Sequence, residues 1–231
     1  YGLDKPSGTL NVPGVGDNRP YYRNSDKVNN AYVFTNTDMG KSFNATLQVK
    51  REWANGFYTS LAYNYLDAKD ASSIEAEISS DAFDRNPALG NVNLARLANS
   101  VYGNKHRFVG NANKTFKYGN GKWATTLSLY FEYNKGGRFS YTYAGDINND
   151  GALSFGNDLI YIPTEAELDR MNFVQPTYAG DPTAAQQREA LRQFIAQDEY
   201  LSSRRGMYAE RNAVLSPWYS RYDFRILQDR S

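Results

Sequence analysis

Hydrophobic and polar residues alternate along two long stretches of the chain. From Ser42, the residues Phe43, Ala45, Leu47 and Val49 alternate with Asn44, Thr46, Gln48 and Lys50. After Trp53-Ala54-Asn55-Gly56, Phe57, Thr59, Leu61, Tyr63 and Tyr65 alternate with Tyr58, Ser60, Ala62 and Asn64. A period of two marks a strand with unlike faces, and Asn-Gly between two such runs predicts a hairpin closed by a type I′ turn. A second hairpin follows: His106 to Tyr118, the turn Gly119-Asn120-Gly121, then Lys122 to Tyr133. In its return strand Trp123, Thr125, Leu127, Leu129, Phe131 and Tyr133 share one face, and Ala124, Thr126, Ser128, Tyr130 and Glu132 share the other. Between Trp218 and Asp229, Tyr222, Phe224 and Ile226 alternate with Arg221, Asp223 and Arg225.

These strands run to about twelve residues, against a mode of ~5–6 in globular sheets. A tilted membrane strand needs ~9–11. A long-stranded soluble sheet with one wet face would alternate in the same way, but two features weigh against it. Lys50, Lys114 and Glu132 are assigned to polar faces, while the apolar faces end in Phe43, Trp53, Phe57, Tyr65, Trp123 and Tyr133. Aromatics at both ends of an apolar band resemble the girdles of membrane barrels. The connections are also unequal: minimal turns at one end, and long segments, about 68–105 and 144–217, at the other. The expected fold is all-β, an antiparallel transmembrane β-barrel segment (a partial barrel) with long extracellular loops carrying short helices. Its strand regions are expected at about 32–53, 57–67, 106–118, 122–143 and 218–229.

The first long loop gathers Asp67, Asp70, Glu75, Glu77, Asp81 and Asp84. No cation stands beside them at a catalytic spacing, so the reading is a solvated acidic loop. The second opens with Asp146-Ile147-Asn148-Asn149-Asp150-Gly151. Asp146, Asn148 and Asp150 fall at positions 1, 3 and 5 of an EF-hand-type calcium loop, Gly151 at 6, the Ala152 carbonyl at 7 and Ser154 at 9. Position 12 is Asn157, and the expected carboxylate comes one residue late, at Asp158. Two readings stay open: a structural Ca²⁺ loop, or an Asx-turn cluster that merely stabilises the chain reversal. Further on, Thr164 and Glu167 form a capping box, and Asp181-Pro182 is expected to open another helix with Asp181 as its cap. Leu191, Phe194, Ile195 and Leu201 would lie on that helix's buried stripe.

Composition narrows the function classes. The 231 residues contain no Cys and one His, which removes disulfides, thiolate sites and His-rich metal centres. Lys+Arg 26 against Asp+Glu 25 leaves +1, so no global field suggests nucleic acid. The mean hydropathy is −0.68, and no apolar run approaches the ~18 residues of a spanning helix. Tyr1-Gly2-Leu3-Asp4 has neither the basic nor the apolar region of a signal peptide. Aromatics make up 15% of the chain and Asn is abundant at 23 residues, which suits a lectin-like sandwich, a secreted repeat protein or a membrane barrel. A barrel escapes hydropathy analysis because only alternate residues face lipid. Asn-x-Ser/Thr matches at Asn44 and Asn113 fall inside strands and are read as chance.

The run Tyr143-Ala144-Gly145-Asp146-Ile147-Asn148-Asn149-Asp150-Gly151, followed by Asn157-Asp158-Leu159-Ile160-Tyr161-Ile162-Pro163, resembles the late barrel region of TonB-dependent outer-membrane receptors, in the Oar-like subgroup of Bacteroidetes-type bacteria. Phe194-Ile195-Ala196-Gln197-Asp198, Tyr208-Ala209-Glu210-Arg211-Asn212, Pro217-Trp218 and Asp223-Phe224-Arg225-Ile226-Leu227-Gln228-Asp229 extend the resemblance. Asn36-Thr37-Asp38-Met39-Gly40 and Tyr63-Asn64-Tyr65-Leu66-Asp67-Ala68-Lys69-Asp70 carry it upstream.

The resemblance implies a non-enzymatic nutrient importer of a Gram-negative outer membrane, of which residues 1–231 form a C-terminal-half portion. Its implied partners are outer-membrane lipid, the plug and other strands of the same receptor, TonB through an N-terminal part, an unidentified nutrient and a surface lipoprotein. The alternative from another class is a non-transporting, adhesive cell-surface β-protein with a calcium-stabilised loop.

Overall fold

In the computed structural model, residues 6–23, 34–73, 76–152 and 156–230 are described. They fall into two compact units: Gly40–Lys69, Asn99–Arg138 and Leu215–Ser231 in one, and Tyr1–Met39, Asp70–Ala98 and Phe139–Val214 in the other.

The first unit is a sheet of five long strands: β1 Lys41–Glu52, β2 Phe57–Asp70, β3 His106–Tyr118, β4 Trp123–Lys135 and β5 Trp218–Arg230. Each pairs antiparallel with its neighbour in sequence, giving the order β1-β2-β3-β4-β5. The expected antiparallel β-sheet architecture is therefore present. It is not closed, because β1 and β5 do not pair with each other. Of the expected strand region 32–53, residues 32 and 33 lie outside the described residues and the strand starts at Lys41. The region 122–143 is cut short at Lys135.

The register aligns like with like. Leu47 faces Tyr63, which faces Phe108, which faces Tyr133. Leu129 stands between Ala112 and Phe224. Directly opposed residues share a face, so one apolar face runs across all five strands. It holds Phe43, Leu47, Val49, Leu61, Tyr63, Trp123, Leu127, Leu129 and Phe131. Asn44, Gln48, Lys50, Asn64, Ser128 and Glu132 occupy the reverse face. One residue departs from expectation: Lys114 pairs with Leu127 and so belongs to the apolar face. It lies near the turn end, where its ammonium donates to the Asn55 carbonyl and sits 5.7 Å from the Phe116 ring.

The two hairpin turns differ. At Gly119–Lys122, Asn120 and Gly121 both have positive φ, as a type I′ turn requires. At Asn55-Gly56 only Gly56 does, at +74°. There Gly56 N–H donates to Trp53 O, and Asn55 Oδ1 accepts from Phe57 N–H at 3.0 Å. This is the longer hairpin loop that ends in one left-handed Gly, not type I′.

The second unit packs short helices on short strand pairs. Its helices are α1 Ser79–Asp84, α2 Glu165–Leu168, α3 Ala184–Gln197 and α4 Glu199–Ser203. Tyr161–Ile162 pairs with Met207–Tyr208. The core is Leu159, Ile162, Leu168, Ile195, Leu201 and Ala209, with Leu191 packed against it. Thr164 and Glu167 form the expected capping box. The cap of α3 is Thr183 with Gln186, not Asp181; Asp181 instead accepts from the N–H groups of Thr177 and Tyr178. Phe194 is 43% exposed and off the buried stripe, and Leu201 belongs to α4. No described helix is long and apolar enough to cross a membrane, which says nothing about strands.

Candidate functional site

Two features can carry function, one in each unit. The first is the apolar face of the sheet. Phe43, Leu47 and Val49 on β1 are 62–70% exposed, and Tyr222, Phe224 and Ile226 on β5 are 63–69% exposed. Monomeric soluble proteins seldom leave contiguous apolar patches of this kind to water. The band is flanked by rings carrying cations. At the turn end Arg51 lies 5.0 Å from the Trp53 ring and Arg230 5.1 Å from the Trp123 ring. At the other end Tyr133 stacks on Trp218 at 4.6 Å, and Lys135 lies 5.8 Å from that Trp218 ring. Tyr63, His106 and Phe108 extend this aromatic group.

The second feature is the segment from Asp146 to Asp158, in the other unit. Asp146 accepts from Asp150 N–H at 2.9 Å and from Gly151 N–H at 2.8 Å. Asn148 Oδ1 also accepts from Asp150 N–H, at 2.9 Å. Asp150 is 1% exposed; its Oδ1 accepts from Ala152 N–H at 3.0 Å. Its Oδ2 meets only the amide nitrogens of Asn148 at 3.4 Å and Asn157 at 3.5 Å among the described residues. Burial pushes the Asp150 carboxyl up to about 6; the charges of Asp146 and Asp158 add to this, and the Ala152 N–H opposes it. Asn157 is 2% exposed, and its Oδ1 is buried with no partner among the described residues. Ser154 lies outside the described residues.

Asp158 is occupied otherwise. Its Oδ2 accepts from the N–H groups of Ile147 and Asn148 at 3.0 and 3.2 Å, and its Oδ1 accepts from Arg19 at 3.2 Å. Arg19 also donates to Asp17 and to the Leu159 carbonyl, and its guanidinium lies 5.0 Å from the Tyr143 ring. Burial opposes the charge on Arg19. The hydrogen bonds and charge of Asp17, with Asp158 behind, overcome this and raise its pKa.

The structure therefore brings Asp146, Asn148, Asp150 and Asn157 into one hydrogen-bonded cluster and commits Asp158 to Arg19. The roles of Asp17 and Arg19 carry no signal in the sequence, since their partners lie far along the chain. Among the described residues no group of three or more His, Cys, Asp or Glu side chains is placed to hold a metal ion. Of the acidic residues of the first loop, Asp81 pairs locally with Arg85 at 3.1 Å, while Asp70 accepts from Ser73 and pairs with Arg211 at 3.5 Å. Glu75 lies outside the described residues. No protein-family model, curated protein or solved structure matches the chain.

Proposed function

We propose that the five-stranded sheet is a wall section of an outer-membrane β-barrel, and that the barrel is a TonB-dependent nutrient importer. The observation that carries the barrel reading is the single, predominantly apolar face that the register carries across five long strands. Thirteen residues of β3 at ~3.3 Å each, tilted ~45°, give roughly 30 Å, the thickness of the hydrocarbon layer. The flanking rings and cations suit the two interfaces, where aromatic side chains anchor and long basic chains reach toward headgroups. The free edges of β1 and β5 cannot stand unpaired in lipid, so further strands must pair with them.

The importer reading rests on the residue resemblance of the 143–163 and 194–229 stretches. In it a plug belongs to the same receptor, TonB is a partner engaged through an N-terminal part, and the cargo is a scarce nutrient. The turns at Asn55-Gly56 and Asn120-Gly121 then face the periplasm, and the long connections face outside. Epitope tags in intact cells test the orientation. Tags near Ser79 or Ala184 are expected to label from outside, and one at Asn120 only after permeabilisation. Labelling at Asn120 in intact cells, or a chain that stays soluble without detergent, would overturn the proposal.

A further inference from the structure

At its loop end the sheet gathers cations with few acids beside them. Lys41 on β1 stands directly opposite Lys69 on β2, and by the period of two both share the apolar face with Phe43 and Tyr65. Like charges opposed in this way repel and weaken a strand pair. On β4, Lys135 follows Tyr133 on the same face and lies 5.8 Å from the Trp218 ring of β5. Lys105, just before β3, and Arg138, just beyond β4, line one small cavity with Ser100. The charges of Lys105, Lys135 and Arg138 all act on His106, so the three surround one ring.

Carboxylates do not offset this group. Asp67 acts on Arg138. Asp70 falls on the reverse face by the same alternation and pairs with Arg211 at 3.5 Å. Among the described residues none of Lys41, Lys69, Lys105 and Lys135 makes an ion pair. The rim therefore calls for anions, and its place on the sheet says which kind. Long basic side chains lay their stems along apolar surface and carry their charges past the aromatic rings to the headgroup level. An anion dissolved in the lumen would meet the reverse face; an anion of the bilayer surface meets this one.

We propose that this rim binds the phosphate groups of membrane lipids, held by Lys41, Lys69, Lys105, Lys135 and Arg138. The site rests on the barrel reading, which makes the apolar face the lipid face. Ammonium and guanidinium groups form short, charge-assisted hydrogen bonds to phosphate oxygens. A phosphate between Lys41 and Lys69 turns their repulsion into a bridge. Phosphatidic acid, a phosphate monoester, fits such a rim. Phosphatidylcholine fits poorly, because its own ammonium opposes the cations.

The test is quenching of Trp218 fluorescence by brominated lipids. The full chain has three Trp; Trp53→Phe and Trp123→Phe leave Trp218 alone, beside Lys135. That chain is reconstituted in phosphatidylcholine vesicles with rising fractions of brominated phosphatidylcholine or brominated phosphatidic acid. Phosphatidic acid is expected to quench at mole fractions about tenfold lower or less, and ~1 M salt should remove most of the preference. Each lysine lost should reduce the preference roughly fivefold, so Lys69→Gln with Lys135→Gln should abolish it. Lys122→Gln, in the turn at the other end of the sheet, should leave it unchanged. Equal quenching by the two lipids, or a preference that survives the double substitution, would overturn the site and leave the barrel reading standing. Quenching by neither lipid would overturn both.

Discussion

Arg19 and Asp158 are 139 residues apart in sequence, yet their side chains meet at 3.2 Å with neither exposed to solvent. Arg19 Nη2 also reaches Asp17 at 2.8 Å. One cation thus neutralises two buried carboxylates and ties the segment around Asp17 to the start of the second long connection. Removing the cation leaves both acids uncompensated, and breaking a buried pair from one side costs about 3–5 kcal/mol. Arg19→Met, which keeps much of the length, should therefore destabilise this unit by that amount in denaturant unfolding. Adding Asp158→Asn should recover part of the loss, because one stranded charge is removed. If the two substitutions cost their independent sums, the pair is not coupled.

The sheet's two faces give a second prediction. Leu129 stands midway along β4 on the apolar face, between Ala112 and Phe224. Asn113, one residue from Ala112 on β3, points to the reverse face between Tyr58 and Ser128. Leu129→Arg should cost about 2–4 kcal/mol, the penalty for a cation at the bilayer midplane. Asn113→Arg should be far milder. Folding yields into lipid vesicles under urea measure both, and equal costs would mean the apolar face does not meet lipid.

How legible these features were depends on how local their causes are. β1, β2, β4 and β5 alternate so plainly that the faces of Leu47, Leu61, Leu129 and Phe224 follow from the period alone. β3 is less plain: Phe108, Gly110, Ala112, Phe116 and Tyr118 share a face, but His106 and Lys114 interrupt it. Reading Lys114 by its charge puts it on the polar face, whereas the period of two and its pairing with Leu127 put it on the apolar one. Asn-Gly signals a turn wherever it occurs, but whether Asn55 adopts positive φ depends on the register of the flanking strands. In the candidate site, the local spacing of Asp146, Asn148 and Asp150 was readable. The commitment of Asp158 to Arg19 was not, because no local pattern records a partner 139 residues away.

Gly110 offers a test of packing on the sheet. It lies opposite Phe131, whose ring covers it so closely that a Cβ there would come within 2.2 Å of a ring carbon. The absent side chain is what lets the ring lie flat against the strand. Gly110→Ala should force the ring out of place at about 1–3 kcal/mol, the usual cost of overpacking. Gly110→Ala combined with Phe131→Leu should cost less than the sum of the two separately. Strict additivity in folding free energy would show that the ring and the glycine do not depend on each other.

Glu167 predicts a pH dependence. Its carboxylate accepts from Thr164 N–H at 2.7 Å, Gly16 N–H at 2.6 Å and the Tyr161 hydroxyl at 3.0 Å. Burial alone would raise its pKa, but these hydrogen bonds and that of the Thr164 hydroxyl together hold it below the ordinary Glu value. In the unfolded chain the same carboxyl takes up its proton near 4.5, while the folded chain resists until lower pH. Below that value the unfolded state binds more protons, so the stability due to Glu167 is complete above it and is lost as pH falls through the lowered folded pKa. Glu167→Gln should cost about 1–3 kcal/mol near neutral pH, because a neutral amide cannot accept all of these bonds. The check is the difference in unfolding free energy between parent and variant from pH 7 down toward pH 3, a comparison in which the titration of other groups cancels. The gap should narrow only below the ordinary Glu range. A gap that stays constant over the whole span would mean the charge on Glu167 contributes nothing, and that the capping geometry alone explains its burial.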